Sequence, residues 1–123
     1  MDGGGFQIYA DPLIEKVFYN LVENSIRHCG KVTSINVSVQ KTSAGLSVIY
    51  EDNGNGIPVE SKEQIFERGY GAHTGFGLFL SREILAITDI LITENGEPGE
   101  GARFEFIIPH DSFRKTNKRV IGT

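Results

Sequence analysis

Several features that mark particular protein classes are missing from this 123-residue sequence. It has a single cysteine, Cys29, so no disulfide can form within the chain, and a reducing compartment suits it. No apolar run approaches membrane-spanning length, and the glycine-rich start is unlike a secretory signal. There is no lysine or arginine run, and the net charge of −4 argues against a nucleic-acid-binding surface. The sequence therefore predicts a soluble, cytoplasmic domain with no nucleic-acid partner and no membrane contact of its own.

The apolar pattern that is present predicts a single domain of alternating strands and helices. Asp11-Pro12 is a typical helix start, and apolar residues then recur at helical spacing until Gly30, which predicts a helix over residues 12–29. A second helix is predicted over residues 77–88. The predicted strands cover residues 6–9, 32–40, 46–52, 90–94 and 103–109, the second and third form a hairpin, and a helical turn is predicted over 58–66. The order β-α-β-β-α-β-β predicts one mixed sheet with helices on a face.

The same pattern sets the expected boundaries of the domain. We expect it to cover residues 6–109. The glycine-rich residues 1–5 suggest a linker, or the start of a piece cut from a longer protein, and residues 110–123 are basic and weakly patterned, so we expect a flexible tail. Residues 68–76 are polar and punctuated by glycines, which predicts a mobile loop.

The stretch Glu51-Asp-Asn-Gly-Asn-Gly-Ile-Pro58 concentrates acids, asparagines and glycines in one turn. A calcium loop of this pattern requires a glutamate at its twelfth position, where this chain has Lys62. The preceding run also alternates like a strand, whereas an EF-hand needs a helix there. The pattern therefore argues against calcium. A plain turn remains an alternative, because Asn-Gly pairs are common in hairpins.

A polar stripe runs along the first predicted helix. Asn20, Glu23, Asn24 and Arg27 lie at i, i+3, i+4 and i+7, so they share about a third of the helix circumference and border its apolar face. A solvated face with one Glu–Arg pair is the simpler interpretation. Asparagine is a mediocre helix former that competes with the backbone for hydrogen bonds, so two asparagines beside the core favour a ligand-binding role.

Four short segments follow one another along the chain: Asn20-Leu-Val-Glu-Asn24-Ser, Asp52-Asn-Gly54-Asn-Gly56-Ile, Gln64-Ile-Phe-Glu-Arg and Gly75-Phe-Gly77-Leu78. In this order they resemble the N, G1, F and G2 boxes of the GHKL ATPases, the superfamily of sensor histidine kinases, gyrase, the heat-shock chaperone and mismatch-repair ATPases. The F box and the short lid favour the histidine-kinase branch. The resemblance covers about residues 6–109 and implies an α+β, two-layer sandwich (the Bergerat fold), with a mixed, mostly antiparallel sheet covered on one face by helices.

The resemblance implies a role for each residue near the base of a bound ATP. The Asp52 carboxylate would accept a hydrogen bond from the adenine 6-amino group and repel guanine, which presents an oxygen there. Gly54 and Gly56 would let the backbone turn sharply and approach the base.

The resemblance also assigns residues to the phosphates and the metal. Asn20 and Asn24 would bind the nucleotide, with the Asn24 oxygen reaching Mg²⁺. Glu23 resembles the acid that draws a proton from the attacking nucleophile, and Arg27 would clamp a phosphate oxygen. The amides at the start of the second helix would hold phosphates, which assigns Gly75, Gly77 and Leu78 to the nucleotide.

Three departures from the family pattern bear on activity. Phe79 stands where the G2 box usually has another glycine, and Ala102 replaces a common threonine, which removes a possible hydroxyl near the nucleotide. His28 stands where an aromatic such as tyrosine is usual. With these departures, the motifs support nucleotide binding more strongly than they support a normal rate of catalysis.

The family implies partners that lie outside this chain. None of the three histidines, His28, His73 and His110, has the helical context of a phosphoacceptor. We therefore expect an ATP-dependent protein-histidine kinase domain, inactive in isolation, that phosphorylates a histidine on a separate dimerisation domain and has a downstream response regulator. Segments elsewhere in a full-length protein can anchor it to a membrane. The alternatives are a nucleotide-sensing module without transfer, which Phe79 and Ala102 motivate, and an ATP-hydrolysing clamp of the gyrase or chaperone type.

Overall fold

The computed structural model describes residues 5–28, 31–67 and 77–116. Its helices and strands are β1 (Gly5–Ile8), α1 (Ile14–His28), β2 (Ile35–Thr42), β3 (Gly45–Asp52), α2 (Gly77–Ala86), β4 (Leu91–Glu94), β5 (Arg103–Ile108) and β6 (Phe113–Thr116). Short 3₁₀ helices cover Val59–Ser61, Gln64–Phe66 and His110–Ser112. No helix in these ranges combines the length and the apolar character that crossing a membrane requires.

Most elements lie where the sequence predicts them. Helix α1 begins two residues later than predicted, and Asp11 caps it, since its Oδ1 accepts a hydrogen bond of 2.9 Å from the Leu13 amide. The hairpin of β2 and β3 forms with residues 43–44 as its turn. Helix α2 ends at Ala86, two residues before the predicted end. The predicted mobile loop over residues 68–76 lies outside the described residues.

The described strands form two sheets, where the sequence predicts one. Strands β2, β3, β5 and β4 form a four-stranded sheet in that order, while β1 and β6 form a separate two-stranded sheet. Every strand pair in the described ranges is antiparallel. In the four-stranded sheet, β3 is antiparallel to both β2 and β5, and β5 is antiparallel to β4. The broader α+β assignment, a mostly antiparallel sheet with helices, is confirmed.

Residues 110–116, which the sequence assigns to a flexible tail, form a 3₁₀ helix and a strand. A 3₁₀ turn follows Pro109, and β6 then pairs with β1 in a register that places Phe113 opposite Ile8. Phe113 also packs against the hydrophobic core. The short strand β1 needs a partner for its backbone groups, and β6 provides one, which the weak apolar pattern of the tail does not reveal.

The two helices cover one face of the four-stranded sheet. Val17 and Leu21 of α1 are fully buried, and the ring of Phe18 stacks on Phe106 of β5 at 5.3 Å between centroids. Burying a side chain of this size stabilises the fold by about 1.5–3 kcal/mol. From α2, Ile84 and Leu85 join the same core. The remaining core members come mainly from the helix-facing positions of the sheet.

This packing gathers several polar groups at one end of the sheet. Because β3 and β4 both run antiparallel to β5, their last residues, Asp52 and Glu94, lie beside its start. Both acids face the helices and both are buried, at 6% and 5% exposure. A buried carboxylate needs hydrogen-bond partners, so this end of the sheet is where a functional site is to be sought.

Candidate functional site

The Asp52 carboxylate is held by three hydrogen bonds. Its Oδ1 accepts bonds of 3.0 Å from the backbone amides of Gly54 and Ala102, and its Oδ2 accepts one of 2.6 Å from the Ser25 hydroxyl. The Asp52 amide donates in turn to the Ala102 carbonyl at 3.0 Å. The side chain is therefore fixed on both sides, by the turn that follows β3 and by α1.

Ser25 connects the helix to the sheet through a second contact. Its Oγ lies 2.8 Å from the Tyr50 hydroxyl, and both residues are almost completely buried. The Tyr50 ring packs edge-on against Phe104 of β5. This row of hydroxyls and carboxylate crosses the interface between α1 and β3 at the site.

Two glycines bring the turn after β3 against the loop between β4 and β5. Gly56 has φ +77°, and a Cβ there would lie 3.0–3.2 Å from backbone atoms of residues 97, 99 and 101. Gly101 has φ +117°, and a Cβ there would lie 2.0 Å from the Asp52 carbonyl oxygen. Only glycine suits such a close approach in the left-handed region. The glycine of the expected G1 box thus has a packing role against this loop, whatever its approach to a ligand.

An ion pair between Lys62 and Glu94 also holds the segment after β3 against the loop between β4 and β5. The Lys62 ammonium contacts Glu94 Oε1 and donates to the Gly96 carbonyl at 2.9 Å. The other carboxylate oxygen accepts bonds from the amides of Gly96 and Arg103, at 3.2 and 3.0 Å. The Glu94 side chain is fully buried, whereas that of Lys62 is 20% exposed. Lys62, at the position where a calcium loop would have a glutamate, therefore anchors the segment after β3 to the end of β4 and to the loop that follows it.

The first residue of the polar stripe of α1 contacts α2. Asn20 Nδ2 donates a hydrogen bond of 3.2 Å to the hydroxyl of Ser81, a fully buried residue of α2. Glu23 and Asn24, the next two residues of the stripe, are half-buried. The side chain of Arg27, the fourth member, lies outside what the structure describes.

The start of α2 follows the predicted phosphate-binding segment. Helix α2 begins at Gly77, and the start of a helix presents backbone amides and the positive end of the helix dipole, which favour an anion. Leu78 is half-buried and packs against the core, which gives it a structural role in addition to any contact with a ligand. Gly75 lies outside the described residues.

The sequence gives no role at the site to several residues that the structure places there: Ser25, Tyr50, Gly101 and the Lys62–Glu94 pair. Ser25 directly follows Asn24, but a serine in a helix carries no signal of a bond to a residue 27 positions away. Gly101 is the one that could have been found, because Gly-Glu-Gly before a strand is typical of a tight turn.

The arrangement suits a ligand with an amino-bearing ring and an anionic end. Asp52 offers an acceptor in a rigid, buried setting, and the stripe with the start of α2 offers amides and side chains for negative groups. In the described ranges no group of three or more histidine, cysteine or acidic residues lies together as a metal site.

The sequence profile of the histidine kinase-, DNA gyrase B-, and HSP90-like ATPases matches residues 10–112. The alginate biosynthesis sensor protein KinB of Pseudomonas aeruginosa is 35% identical over 102 residues, which cover 78% of this chain and 17% of that protein. The adaptive-response sensory kinase SasA of Crocosphaera subtropica is 36% identical over 111 residues, which cover 83% of this chain and 29% of that protein. The chain thus spans less than a third of these curated relatives.

Solved structures agree with the sequence relatives. The nucleotide-free catalytic domain of the histidine kinase ThkA has a TM-score of 0.69 and 31% identity, and the match covers 81% of this chain and 69% of that one. The mycobacterial sensor histidine kinase MprB has a TM-score of 0.71 at 17% identity, covering 85% of this chain and 75% of that one, which shows the same fold.

Proposed function

The chain belongs to the histidine kinase-, DNA gyrase B-, and HSP90-like ATPase family, as an ATP-binding domain of the histidine-kinase type, and we propose that it binds ATP with Mg²⁺ and transfers the γ-phosphoryl group to a histidine on a separate dimerisation domain. A response regulator would then receive the phosphoryl group. Phosphoryl transfer depends mainly on positioning and on neutralising charge, which suits a site built from a rigid acceptor and a row of polar side chains.

The observation that carries the proposal is the setting of Asp52. A carboxylate fixed by two amides and a hydroxyl at the end of β3 accepts a hydrogen bond from an amino group and repels a carbonyl oxygen. Adenine presents an amino group at its position 6, and guanine presents an oxygen. The acceptor therefore selects ATP over GTP.

On the phosphate side the proposal assigns one task to each residue. Asn24 provides a neutral oxygen, which is the kind of ligand that Mg²⁺ takes alongside phosphate oxygens and water. Mg²⁺ would neutralise phosphate charge. Glu23 accepts the proton of the attacking imidazole, and Asn20, Arg27, Gly75 and Gly77 hold the phosphates.

Nucleotide binding is tested by calorimetric titration of the domain with ATP and GTP in Mg²⁺. We expect binding of ATP and strong discrimination against GTP, and Asp52→Ala should weaken ATP binding by about 1–3 kcal/mol. Glu51→Ala is the matched control, because Glu51 is the neighbouring acid in β3 but is exposed. Equal affinities of the wild type for ATP and GTP would contradict the assignment of Asp52.

Transfer is tested by joining the domain to a dimerisation helix that carries the phosphoacceptor histidine. We expect a label from γ-³²P-ATP that is acid-labile and base-stable, as a nitrogen–phosphorus bond requires. The domain alone should hydrolyse ATP barely at all. Brisk hydrolysis without the acceptor would instead support a clamp, and binding without transfer would leave a nucleotide-sensing module.

A further inference from the structure

The hydroxyl row beside Asp52 has a defined direction. Ser25 has one hydroxyl hydrogen, and it is donated to Asp52 Oδ2 at 2.6 Å. The contact of 2.8 Å between Ser25 Oγ and the Tyr50 hydroxyl must therefore be donated by Tyr50. The order Tyr50 → Ser25 → Asp52 follows, and each donor in such a chain polarises the next bond.

This order also limits what Asp52 can still accept. A carboxylate has about four acceptor positions. Donors from the described residues fill three of them: two on Oδ1, from Gly54 and Ala102, and one on Oδ2, from Ser25. Asp52 is buried, with 6% of the residue exposed. One acceptor position on Oδ2 is left for a ligand, and Ser25 determines where it points.

Movement of the carboxylate away from this position is costly. Ser25 and Tyr50 are 0% and 1% exposed, so neither hydroxyl can turn to solvent if Asp52 rotates. The backbone amides on Oδ1 belong to the turn after β3 and to Ala102, just before β5, and these segments are packed together through Gly101. The amides thus fix the pivot of the carboxylate, and the Ser25 hydroxyl fixes its rotation.

From this geometry we infer that Ser25 and Tyr50 are positioning residues that determine base specificity: they hold Asp52 so that its one open acceptor position meets an exocyclic amino group on a purine and opposes an oxo group. The inference rests on the proposed ATP-binding function and deepens it. Tyr50 acts through its contact with Ser25, and Ser25 through its hydrogen bond to Asp52.

The inference predicts a specific pattern of losses. Ser25→Ala frees the carboxylate to turn away from an oxo group, so ATP affinity falls while affinity for inosine triphosphate, which has an oxygen at position 6, stays level or rises. The preference for ATP should fall by about 5–10-fold, the effect of one net hydrogen bond. Tyr50→Phe keeps the ring and leaves Ser25 bonded to Asp52, so the preference should fall by only about 2–3-fold.

The experiment is calorimetric titration of wild type, Ser25→Ala, Tyr50→Phe and the double variant with ATP and with inosine triphosphate, with thermal unfolding followed in parallel. Ser47→Ala is the matched control, because Ser47 is equally buried and donates to a carboxylate, that of Glu105, on the opposite face of the sheet. It should leave the preference unchanged. The double variant should lose no more preference than Ser25→Ala alone, because Tyr50 acts through Ser25.

The possible failures are distinguishable. Wild type that does not bind ATP, or that binds both nucleotides equally, would overturn the proposed function together with this inference. Wild type that prefers ATP, with Ser25→Ala and Tyr50→Phe keeping the same preference, would overturn the inference alone. Should Ser25→Ala fail to fold, Tyr50→Phe decides the matter, since it preserves the packing of the core.

Discussion

The two sides of the site are built differently. The side proposed to bind the base, called the base side, comprises Asp52, Ser25, Tyr50 and the Lys62–Glu94 pair. All of these residues except Lys62 are buried, and hydrogen bonds join them to one another or to the backbone. The side proposed to bind the phosphates, called the phosphate side, comprises the polar stripe of α1 and the start of α2, and it has half-buried side chains such as Glu23 and Asn24. The base side is part of the core, whereas the phosphate side borders it.

This difference indicates how the two sides can be altered. A rigid acceptor discriminates because it cannot relax to suit the wrong base, so recognition and stability depend on the same contacts. On the phosphate side, a change at a bordering side chain removes a contact with the ligand without opening a cavity in the core. Variants on the base side should therefore affect stability and binding together, and variants on the phosphate side should separate chemistry from stability.

The largest effect is expected on the phosphate side, from Glu23→Gln. The amide keeps the size of the side chain but cannot take up a proton, so transfer to the acceptor histidine should slow by about 10²–10⁴-fold. ATP affinity and the unfolding temperature should stay near those of wild type. Glu15→Gln is the control, because Glu15 lies exposed in the first turn of the same helix. Transfer at the wild-type rate would remove Glu23 from the reaction.

The second prediction concerns the stability of the base side, through Lys62→Met. The change leaves the fully buried Glu94 carboxylate with only its two amide donors, which should destabilise the fold by about 2–4 kcal/mol. We expect less than for a fully buried ion pair, because Lys62 is partly exposed to solvent. ATP binding should weaken as well, because the pair fixes the turn after Asp52. Urea unfolding and calorimetry measure the two effects.

The control for Lys62→Met is an ion pair outside the core. Glu63 and Arg82 lie 3.5 Å apart with 78% and 39% of their side chains exposed, so Glu63→Gln should change stability by about 0.5 kcal/mol or less. Similar losses from the two variants would mean that burial does not distinguish the pairs, and the contrast between the two sides would lose its energetic basis.

The sequence predicts those elements of the fold whose pattern depends on residues close together in the chain. Period-two alternation placed β2 and β3 and made Asp52 the end of a strand, and helical spacing placed α1 with its stripe. Those elements follow from neighbouring residues. The order of the four motifs then identified the family, which the profile match confirms.

The contacts that sequence reasoning did not reach join distant parts of the chain. The sequence marks Lys62 only as a residue that excludes calcium, because nothing near it in sequence indicates a partner 32 residues away. Ser25 lies in a motif, but for the same reason the sequence gives no sign of its bond to Asp52. The strand β6 was missed because its pairing depends on β1, more than a hundred residues earlier. Tertiary pairing of polar groups carries little periodicity that a sequence can show.

A third prediction tests the metal on the phosphate side, through Asn24→Ala. Loss of the amide oxygen should reduce the gain in ATP affinity that Mg²⁺ provides by about tenfold, the effect of one good ligand contact. Stability should change by less than about 1 kcal/mol, because the side chain is half-buried. Titrations with and without Mg²⁺ measure this, with Asn36→Ala on the exposed strand β2 as the control. Full magnesium dependence in Asn24→Ala would leave the residue with a structural role only.

The smallest effect is expected on the opposite face of the sheet, from Glu105→Gln. Hydrogen bonds from Ser47 and Asn95 lower the pKa of Glu105, and Arg103 lowers it further against the effect of burial. A lowered folded pKa means that the carboxylate contributes stability above the unfolded value of 4.5 and loses it as the pH falls from there through the folded pKa.

Glu105→Gln should therefore destabilise the domain by about 0.5–1 kcal/mol at pH 7, and the difference from wild type should shrink as the pH is lowered below about 4.5. Urea unfolding over that range measures it. Preference for ATP over inosine triphosphate should not change, because Glu105 points away from the helices and from Asp52. A loss of preference in Glu105→Gln would mean that rigidity anywhere in the sheet governs base recognition. The contacts around Asp52 would then not differ in this respect from other contacts of the sheet.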